Sequence, residues 1–271
     1  MNKRTASISL GVAMVICIVL VFSVVYPLST SEPHALQPAD ERFSSDMPDE
    51  FSVEAEIDHD GDQQLGVEAT VIDDDARQQV VDETDTRTER YQSAPDDDVY
   101  LRSELSGWTD EQVDTRLEAI ESDDERTLLV EEHGDESTTI VVRDESDTDL
   151  KDEISGATSV VTESLHPSDY EHVAETANRS TYEPRDGWVD EADAYRITDS
   201  SGEVTVDPDS YAVQAANVTW DVTPSTETYA HYLVSQLTSD YPLTQDIRYE
   251  MRSDTAEIET PDWVAEVRDE H

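Results

Sequence analysis

The stretch FSVEAEIDHDGDQQLGVEATV, residues 51 to 71, decides the fold because apolar and polar side chains alternate on both sides of a turn. The apolar residues are Phe51, Val53, Ala55, Ile57, Leu65, Val67, Ala69 and Val71. Strict alternation is the pattern of a half-buried strand. The residues between the two halves, His59-Asp60-Gly61-Asp62, are typical of a tight turn. The stretch therefore predicts an antiparallel β-hairpin with one apolar face.

The aspartates of this turn also have the spacing of calcium ligands. Asp58, Asp60 and Asp62 match the first three oxygen ligands of an EF-hand loop. That loop needs Gly at its sixth place and Glu at its twelfth, where this chain has Gln63 and Ala69. We therefore interpret the aspartates as turn residues.

The same alternation recurs and predicts further strands. They cover residues 77–92, 97–105, 127–132, 138–143, 159–165, 195–198, 203–206, 211–222 and 247–251, with hairpin turns at 133–135 and 199–202. Helices are predicted after the N-cap Thr109, from Ser168 to about Asn178, and from Pro224 onward. The sum is an α+β fold, an antiparallel, meander-like curved sheet with about three short helices.

A long apolar run precedes this domain. Residues 6 to 28, ASISLGVAMVICIVLVFSVVYPL, contain no charged side chain. As a helix they reach about 34 Å, which spans a hydrocarbon core of about 30 Å. The apolar region of a cleaved signal is normally shorter, and the only small-x-small site that follows is Ser29-x-Ser31. We predict an N-terminal transmembrane anchor from Ala6 to Leu28, with a secretory signal as the alternative.

The charges around this run predict its orientation. Lys3 and Arg4 precede it, and the chain that follows is acidic, so the N-terminus is expected inside and the main domain outside the cell membrane. Residues 29–50 contain three prolines and no periodicity, which is typical of a flexible stalk. The predicted organisation is a single-pass anchor at 1–28, a stalk at 29–50 and an extracytoplasmic domain at 51–271.

The emergent part is extremely acidic. It holds all 66 Asp and Glu residues against 15 basic ones, a net charge of −51. A domain with this charge is either disordered or folded where salt screens the repulsion. Aromatic and β-branched residues are spread through it, which favours a folded core. The composition, poor in Lys and rich in Asp and Glu, resembles that of haloarchaeal proteins, and this resemblance implies a domain adapted to high salt.

The same charge limits the partners of the domain. Nucleic acids and acidic lipid headgroups are polyanions and would be repelled, so no nucleic-acid partner is predicted. Salt cations are expected to bind non-specifically. Cys17, the single cysteine, lies inside the apolar run, so the outer domain is expected to fold without disulfides.

The sequence contains none of the common catalytic motifs that we searched for. We find no serine elbow, helical zinc pair, phosphate loop or cysteine pair. His166 and His172 are six residues apart, whereas two histidines that hold one zinc ion on a helix are four apart. We therefore predict no catalytic, cofactor or metal residues. A hydrolase that uses two carboxylates remains an alternative function. The two acids of such an enzyme are defined by their positions in the folded protein, and no sequence motif marks them.

Two sequons are candidate glycosylation sites in an exported domain. They are Asn178-Arg179-Ser180 and Asn217-Val218-Thr219. Asn178 is the better acceptor of the two, because it is expected just beyond a helix in a polar stretch, whereas Asn217 falls in a predicted strand.

Residues 194–222, AYRITDSSGEVTVDPDSYAVQAANVTWDV, have an order of strands and turns that resembles lipoprotein-carrier-type (LolA-like) half-barrels. The resemblance extends over residues 51 to 260 and implies a curved sheet that holds an acyl chain under short helices. The retained anchor departs from that family.

Three functions follow from these patterns. The first is a non-enzymatic envelope protein that binds a lipid, another apolar ligand or another envelope protein. The second is a glycosylated structural or adaptor surface protein, and the third is the carboxylate-dependent hydrolase.

Overall fold

The computed structural model describes residues 43–73, 75–146, 148–166, 169–189, 195–224, 242–253 and 257–270. Within these ranges the chain forms one antiparallel sheet of thirteen strands and three helices, which confirms the α+β class. The strands are β1 (Phe51–His59), β2 (Asp62–Val71), β3 (Arg77–Glu83), β4 (Thr86–Gln92), β5 (Val99–Ser106), β6 (Arg126–His133), β7 (Ser137–Asp144), β8 (Asp169–Thr176), β9 (Arg179–Arg185), β10 (Gly187–Val189), β11 (Tyr195–Val206), β12 (Val213–Pro224) and β13 (Leu243–Arg252). The helices are α1 (Asp110–Glu121), α2 (Leu150–Glu163) and α3 (Asp262–Glu270).

Strands that are neighbours in sequence are mostly neighbours in the sheet. The order is β6-β7-β5-β4-β3-β2-β1-β13-β12-β11-β9-β8, and β10 pairs with β11 beside this path. The predicted meander is thus present from β1 to β5 and from β11 to β13. The pairing of β1 with β13 joins the two meanders into one sheet.

The opening hairpin forms as its sequence predicts. Asp60 and Gly61 connect β1 to β2 with φ angles of 53° and 84°, values that suit Asp and Gly in a tight hairpin turn. The Asp60 carboxylate accepts a hydrogen bond of 2.9 Å from the backbone N–H of Thr244, and the Asp60 N–H donates to the Thr244 carbonyl at 2.8 Å. The turn therefore also holds the start of β13.

One face of the sheet, which we call the core face, packs against α2. Phe51 on β1, Trp220 on β12 and Ile247 on β13 contribute to the same core as Leu150 and Ile154 of α2, and each is at most 1% exposed. Burial of one such side chain stabilises the fold by about 1.5–3 kcal/mol. The predicted alternation thus sets which residues are buried.

Helix α1 covers another part of the core face. Its N-cap is Thr109, which forms the predicted capping box with Gln112. Val113 and Ile120 are buried against Leu105 and other residues of β5 and β7. Val113 and Ile120 form the apolar stripe of the helix, and the helix predicted after Thr109 is confirmed.

Helix α3 lies on the opposite face of the sheet, which we call the outer face. Val264 and Val267 pack there with Tyr91 and Tyr100. The Arg268 guanidinium lies 4.6 Å from the ring centroid of Tyr100, within the range of a cation–π contact. This packing attaches the end of the chain to the sheet, as the apolar residues at 263–264 predict.

Residues 43–49, which we call the strap, cross the edge of the core. Phe43 is 3% exposed and packs edge-on against Tyr170, with ring centroids 4.8 Å apart. Ser44 bridges to Ala212, and Lys151 of α2 donates to Asp49 at 3.1 Å. The folded part of the chain therefore begins before the predicted boundary at Phe51.

Two predicted elements have the wrong secondary structure. The helix predicted from Ser168 to Asn178 is wrong, because residues 169–176 form β8, whose backbone pairs with β9. The strand predicted at 159–165 is wrong, because α2 continues to Glu163 with Asp149 as its N-cap. In both places tertiary packing outweighs a local signal.

Two predicted turn or strand boundaries also differ. The stretch 77–92 is two strands, joined by a turn after Glu83. The turn predicted at 199–202 does not form, because β11 runs through it. Gly202 has a φ of 105°, and a Cβ there would lie 1.9 Å from the Asn217 carbonyl oxygen. This glycine permits close approach of two strands rather than a turn.

The predicted anchor at 6–28 and the third predicted helix, from Pro224 onward, fall on residues outside the described ranges. Among the helices that the structure does describe, none combines the length and the apolar character needed to cross a membrane.

Candidate functional site

The outer face carries an acidic groove of about 440 Å³ across five neighbouring strands, β3, β2, β1, β13 and β12. Five carboxylates are among the residues that line it. These lining residues include Glu54, Glu56, Gln63, Gly66, Glu68, Asp82, Asn217, Arg248 and Glu250.

The strand register sets these side chains in two rows. In the first row Glu54 lies directly opposite Glu68 on one side and Glu250 on the other. Directly opposite side chains have Cβ atoms about 4.5–5.5 Å apart, and like charges in such pairs destabilise the sheet. Arg252 lies 3.7 Å from Glu54 and 2.9 Å from Glu250, so this row of the groove wall holds three carboxylates and one guanidinium.

The second row also contains a cation. Arg248 lies opposite both Glu56 and Asn217, and Gly66 lies opposite Glu56 and Asp82. Because Gly66 has no side chain, the row has a gap between two carboxylates. A Cβ at Gly66 would lie 2.3 Å from Nε2 of Gln63, whose side chain occupies this gap.

Ion pairing balances part of this charge. The Arg248 guanidinium lies 2.7 Å from Glu56 and 3.5 Å from Asp58. The hydrogen bond to Glu56 raises the pKa of Arg248. The pKa of Asp58 is also raised, by burial first and then by the charges of Glu56 and Asp246, which outweigh the opposing effect of Arg248. The groove can thus attract cations and basic groups.

A second groove, of about 660 Å³, lies where the strap meets the sheet. Met47, Ala212, Ala215 and Met251 supply apolar surface there. Its charged residues are Asp46, Arg179, Asp207, Glu250 and Arg252. This groove offers contact area to an apolar group beside charged ones.

A buried polar cluster fixes α2 on the core face. Arg77, 3% exposed, donates from Nε to Oδ1 of Asp149 at 2.8 Å. Gln92, 1% exposed, accepts from the Leu150 backbone N–H at 2.9 Å. Burial lowers the pKa of Arg90, whose Nε lies 3.2 Å from Glu153. These contacts satisfy the N-terminus of the helix and are structural.

The two sequons lie in different surroundings. Asn178 is exposed in the two-residue loop between β8 and β9, so the predicted position just beyond a helix is wrong. Asn217 is exposed on β12 and lines the acidic groove.

The histidines and turn aspartates have other contacts. His166 stacks near Phe43, and His172 packs against Tyr182. Within the described part of the chain, no group of three or more His, Cys, Asp or Glu side chains has a geometry that could hold a metal ion. Asp60 bonds to β13, in agreement with its interpretation as a turn residue.

The groove is not among the sites that the sequence predicts. Its signal was present, because a glycine inside an alternating strand often marks a place of close approach, and Gly66 lies between Leu65 and Val67. The register that brings Arg248 beside Glu56 joins residues 192 positions apart and has no local signal.

Comparison with known proteins gave no match. No protein-family model matches it, no curated protein matches it, and no solved structure matches it.

Proposed function

We propose that the chain is a non-enzymatic, single-pass protein of a high-salt cell envelope, anchored through Ala6 to Leu28, with its N-terminus inside and its acidic domain outside. The domain binds a partner protein that presents basic groups to the acidic groove. Non-specific salt cations occupy the groove when the partner is absent.

The single observation that carries this proposal is the row formed by Glu68, Glu54 and Glu250. Three carboxylates lie side by side on the central strands, and Arg252 pairs with Glu54 and Glu250, so the row keeps an excess of negative charge that repels itself in dilute buffer. Salt at about 1 M shortens the Debye length to about 3 Å and removes most of this repulsion. A surface of this kind suits concentrated salt, where a basic partner group binds through direct hydrogen bonds to the carboxylates rather than through long-range attraction.

The second groove favours a second candidate function, the binding of a lipid or another apolar ligand. Met47, Ala212 and Met251 give it an apolar part. The core face under α2 gives this candidate less support, because Phe51 and Ile154 are fully buried by protein side chains there.

The two remaining alternatives, a carboxylate hydrolase and a structural or adaptor protein, require different features of the domain. A carboxylate hydrolase needs two acids of unlike pKa that face one cleft. Asp58 has the raised pKa, but it is not among the residues that line the acidic groove. A structural or adaptor protein needs only a rigid, glycosylated domain.

Labelling with a membrane-impermeant maleimide tests the proposed location. Cys17 is replaced by Ser, and a new cysteine is placed either at Asn2 or at the exposed position Ser201. Intact cells should label the Ser201→Cys protein, and the Asn2→Cys protein should label only after permeabilisation. The reverse pattern would overturn the orientation, and labelling of neither protein in intact cells would overturn export.

Native mass spectrometry in volatile salt tests the ligand. Lipid held by the anchor is common to all variants, so we expect the wild type and a Met251→Glu variant to carry the same lipids. A lipid that is lost in Met251→Glu would favour the second candidate and place that lipid in the second groove.

A further inference from the structure

The two sequons differ in what the fold allows at each asparagine. β8 ends at Thr176 and β9 begins at Arg179, and these two residues pair across the ladder. Ala177 and Asn178 therefore form the whole loop, and Asn178 is exposed. Its side-chain amide makes no hydrogen bond to any residue that the structure describes. A sugar on Nδ2 of Asn178 extends into solvent and displaces nothing.

Asn217 has neighbours on both sides. It lies in β12 between Glu203 on β11 and Arg248 on β13. A sugar on its amide would lie on the outer face, in the acidic groove that Asn217 lines. It would compete with the ion pair of Arg248 and Glu56, whose atoms are 2.7 Å apart.

The hydroxyl residue of each sequon is held in the sheet once the sheet has formed. Ser180 is 5% exposed and lies opposite Val206 of β11. The Thr219 hydroxyl donates to the Asp246 carboxylate.

A transferase that reads these hydroxyls must act before β9 and β12 join the sheet, that is, during export, so the fold decides afterwards which modified chain matures. A glycan on Asn178 leaves the sheet free to form, whereas a glycan on Asn217 displaces Arg248 from Glu56.

We propose that Asn178 carries an N-linked glycan in the mature protein and that Asn217 does not. Nδ2 of Asn178 forms a bond to the anomeric carbon of a sugar carried on a lipid phosphate. The bond from that carbon to the phosphate oxygen breaks, the lipid phosphate leaves, and the amide proton passes to a base of the transferase. This inference rests on the export that the proposed function includes.

The position of the glycan has a structural consequence. β8 is the last strand in the described order of the sheet, and Val173 on it is 44% exposed. Terminal strands are the places where sheets of different molecules pair and aggregate. A bulky, hydrated sugar at the end of the β8–β9 hairpin keeps a second chain away from this strand.

Glycopeptide mass spectrometry of the full chain tests the proposal. The chain is expressed in a host with an envelope oligosaccharyl transferase and in the same host without that enzyme. The wild type, Asn217→Gln and Ser180→Thr should each carry a glycan on the peptide of Asn178, and Asn178→Gln should lose the whole glycan mass. Removal of the transferase should give the Asn178→Gln mass in every case.

Maleimide labelling of Ser201→Cys in the same cells separates the two proposals. An exported chain that is unmodified at Asn178 overturns the glycan proposal and leaves the location intact. A chain that is neither exported nor modified overturns both. A glycan that disappears in Asn217→Gln and persists in Asn178→Gln also overturns the assignment. Asn178 is an exposed loop residue, so its Gln variant is expected to fold, and an unchanged near-UV circular dichroism spectrum checks this.

Discussion

Glu54 on β1 lies directly opposite Glu68 on β2, and both side chains are exposed on the outer face. Like charges in this position destabilise a sheet by about 0.2–1 kcal/mol, and salt reduces the cost. Glu68→Gln removes the repulsion from a residue for which the described part of the chain has no ion pair. We expect this variant to lower the KCl concentration at which half of the protein is folded, as measured by tryptophan fluorescence.

Glu203→Gln is the matched control for this change. Glu203 is also an exposed residue of the outer face, but it lies opposite the uncharged Asn217. Its variant should shift the KCl midpoint less than Glu68→Gln does. Equal shifts would mean that net charge, rather than the paired carboxylates, sets the salt requirement.

The contact between Arg77 and Asp149 predicts a large loss of stability. Asp149→Ala leaves a buried guanidinium without its charge partner and removes the N-cap of α2. We expect the free energy of unfolding in urea to fall by about 3 kcal/mol. Asp149→Asn keeps a capping side chain and should lose less.

Asp152→Ala serves as the control for Asp149→Ala. Asp152 lies exposed in the first turn of the same helix. Only its favourable interaction with the helix dipole is lost, which is worth about 0.3–1 kcal/mol. A loss as large as that of Asp149→Ala would show that negative charge in the first turn, rather than the buried ion pair, holds α2 in place.

Two aspartates predict opposite responses to pH. The pKa of Asp144 is lowered: burial alone would raise it, but hydrogen bonds from Ser146 and Arg126 outweigh burial. Its contribution to stability is therefore present above the pKa of an unfolded Asp and is lost as pH falls through the folded pKa. The pKa of Asp58 is raised, so the pH dependence is the opposite. The contribution of Asp58 to stability is present at low pH and is lost as pH rises through its folded pKa.

The corresponding variants should differ in sign at pH 7. Asp144→Asn should lower the thermal midpoint, and Asp58→Asn should raise it, because that substitution removes a partly buried charge beside Glu56 and Asp246. Each difference from wild type should shrink as pH falls through the folded pKa of the aspartate concerned, which is lowered for Asp144 and raised for Asp58. Scanning calorimetry at several pH values measures this, and a shift of the same sign in both variants would contradict the assigned pKa directions.

Two glycines make a further matched pair. Gly202→Ala places a Cβ 1.9 Å from the Asn217 carbonyl oxygen, at a φ of 105°, and should cost about 3 kcal/mol or more. Gly156→Ala meets no atom within 4 Å in α2 and should stabilise by about 0.5–1 kcal/mol. Urea unfolding measures both. A tolerated alanine at 202 would contradict the close approach of β11 and β12.

The parts of the fold that the sequence predicts are those with short-range causes. Alternation sets the faces of β1 and β13, Asp60 and Gly61 set the first hairpin, and the Thr109 capping box sets α1. Each of these signals lies within one or two elements.

The parts that it does not predict depend on distant partners. Ser168 and Glu171 have the spacing of a capping box, but β9 supplies backbone partners to the residues after it. Gly202 has the local appearance of a turn, and only the position of Asn217 explains its conformation. The acidic groove exists because β1 pairs with β13 across almost the whole domain, and alternation within one strand does not specify its neighbour.

The near-UV circular dichroism of the full chain in detergent, compared at about 0.01 M and about 1 M KCl, tests the salt requirement most directly. Trp220, 1% exposed on the core face, should contribute a sharp signal to it when the domain is packed. Sucrose, which favours compact states without screening charge, is the control. We expect the sharp signal at high KCl, its loss at low KCl, and little recovery in sucrose. The same sharp spectrum at both KCl concentrations would contradict the claim that this acidic domain depends on salt to remain folded.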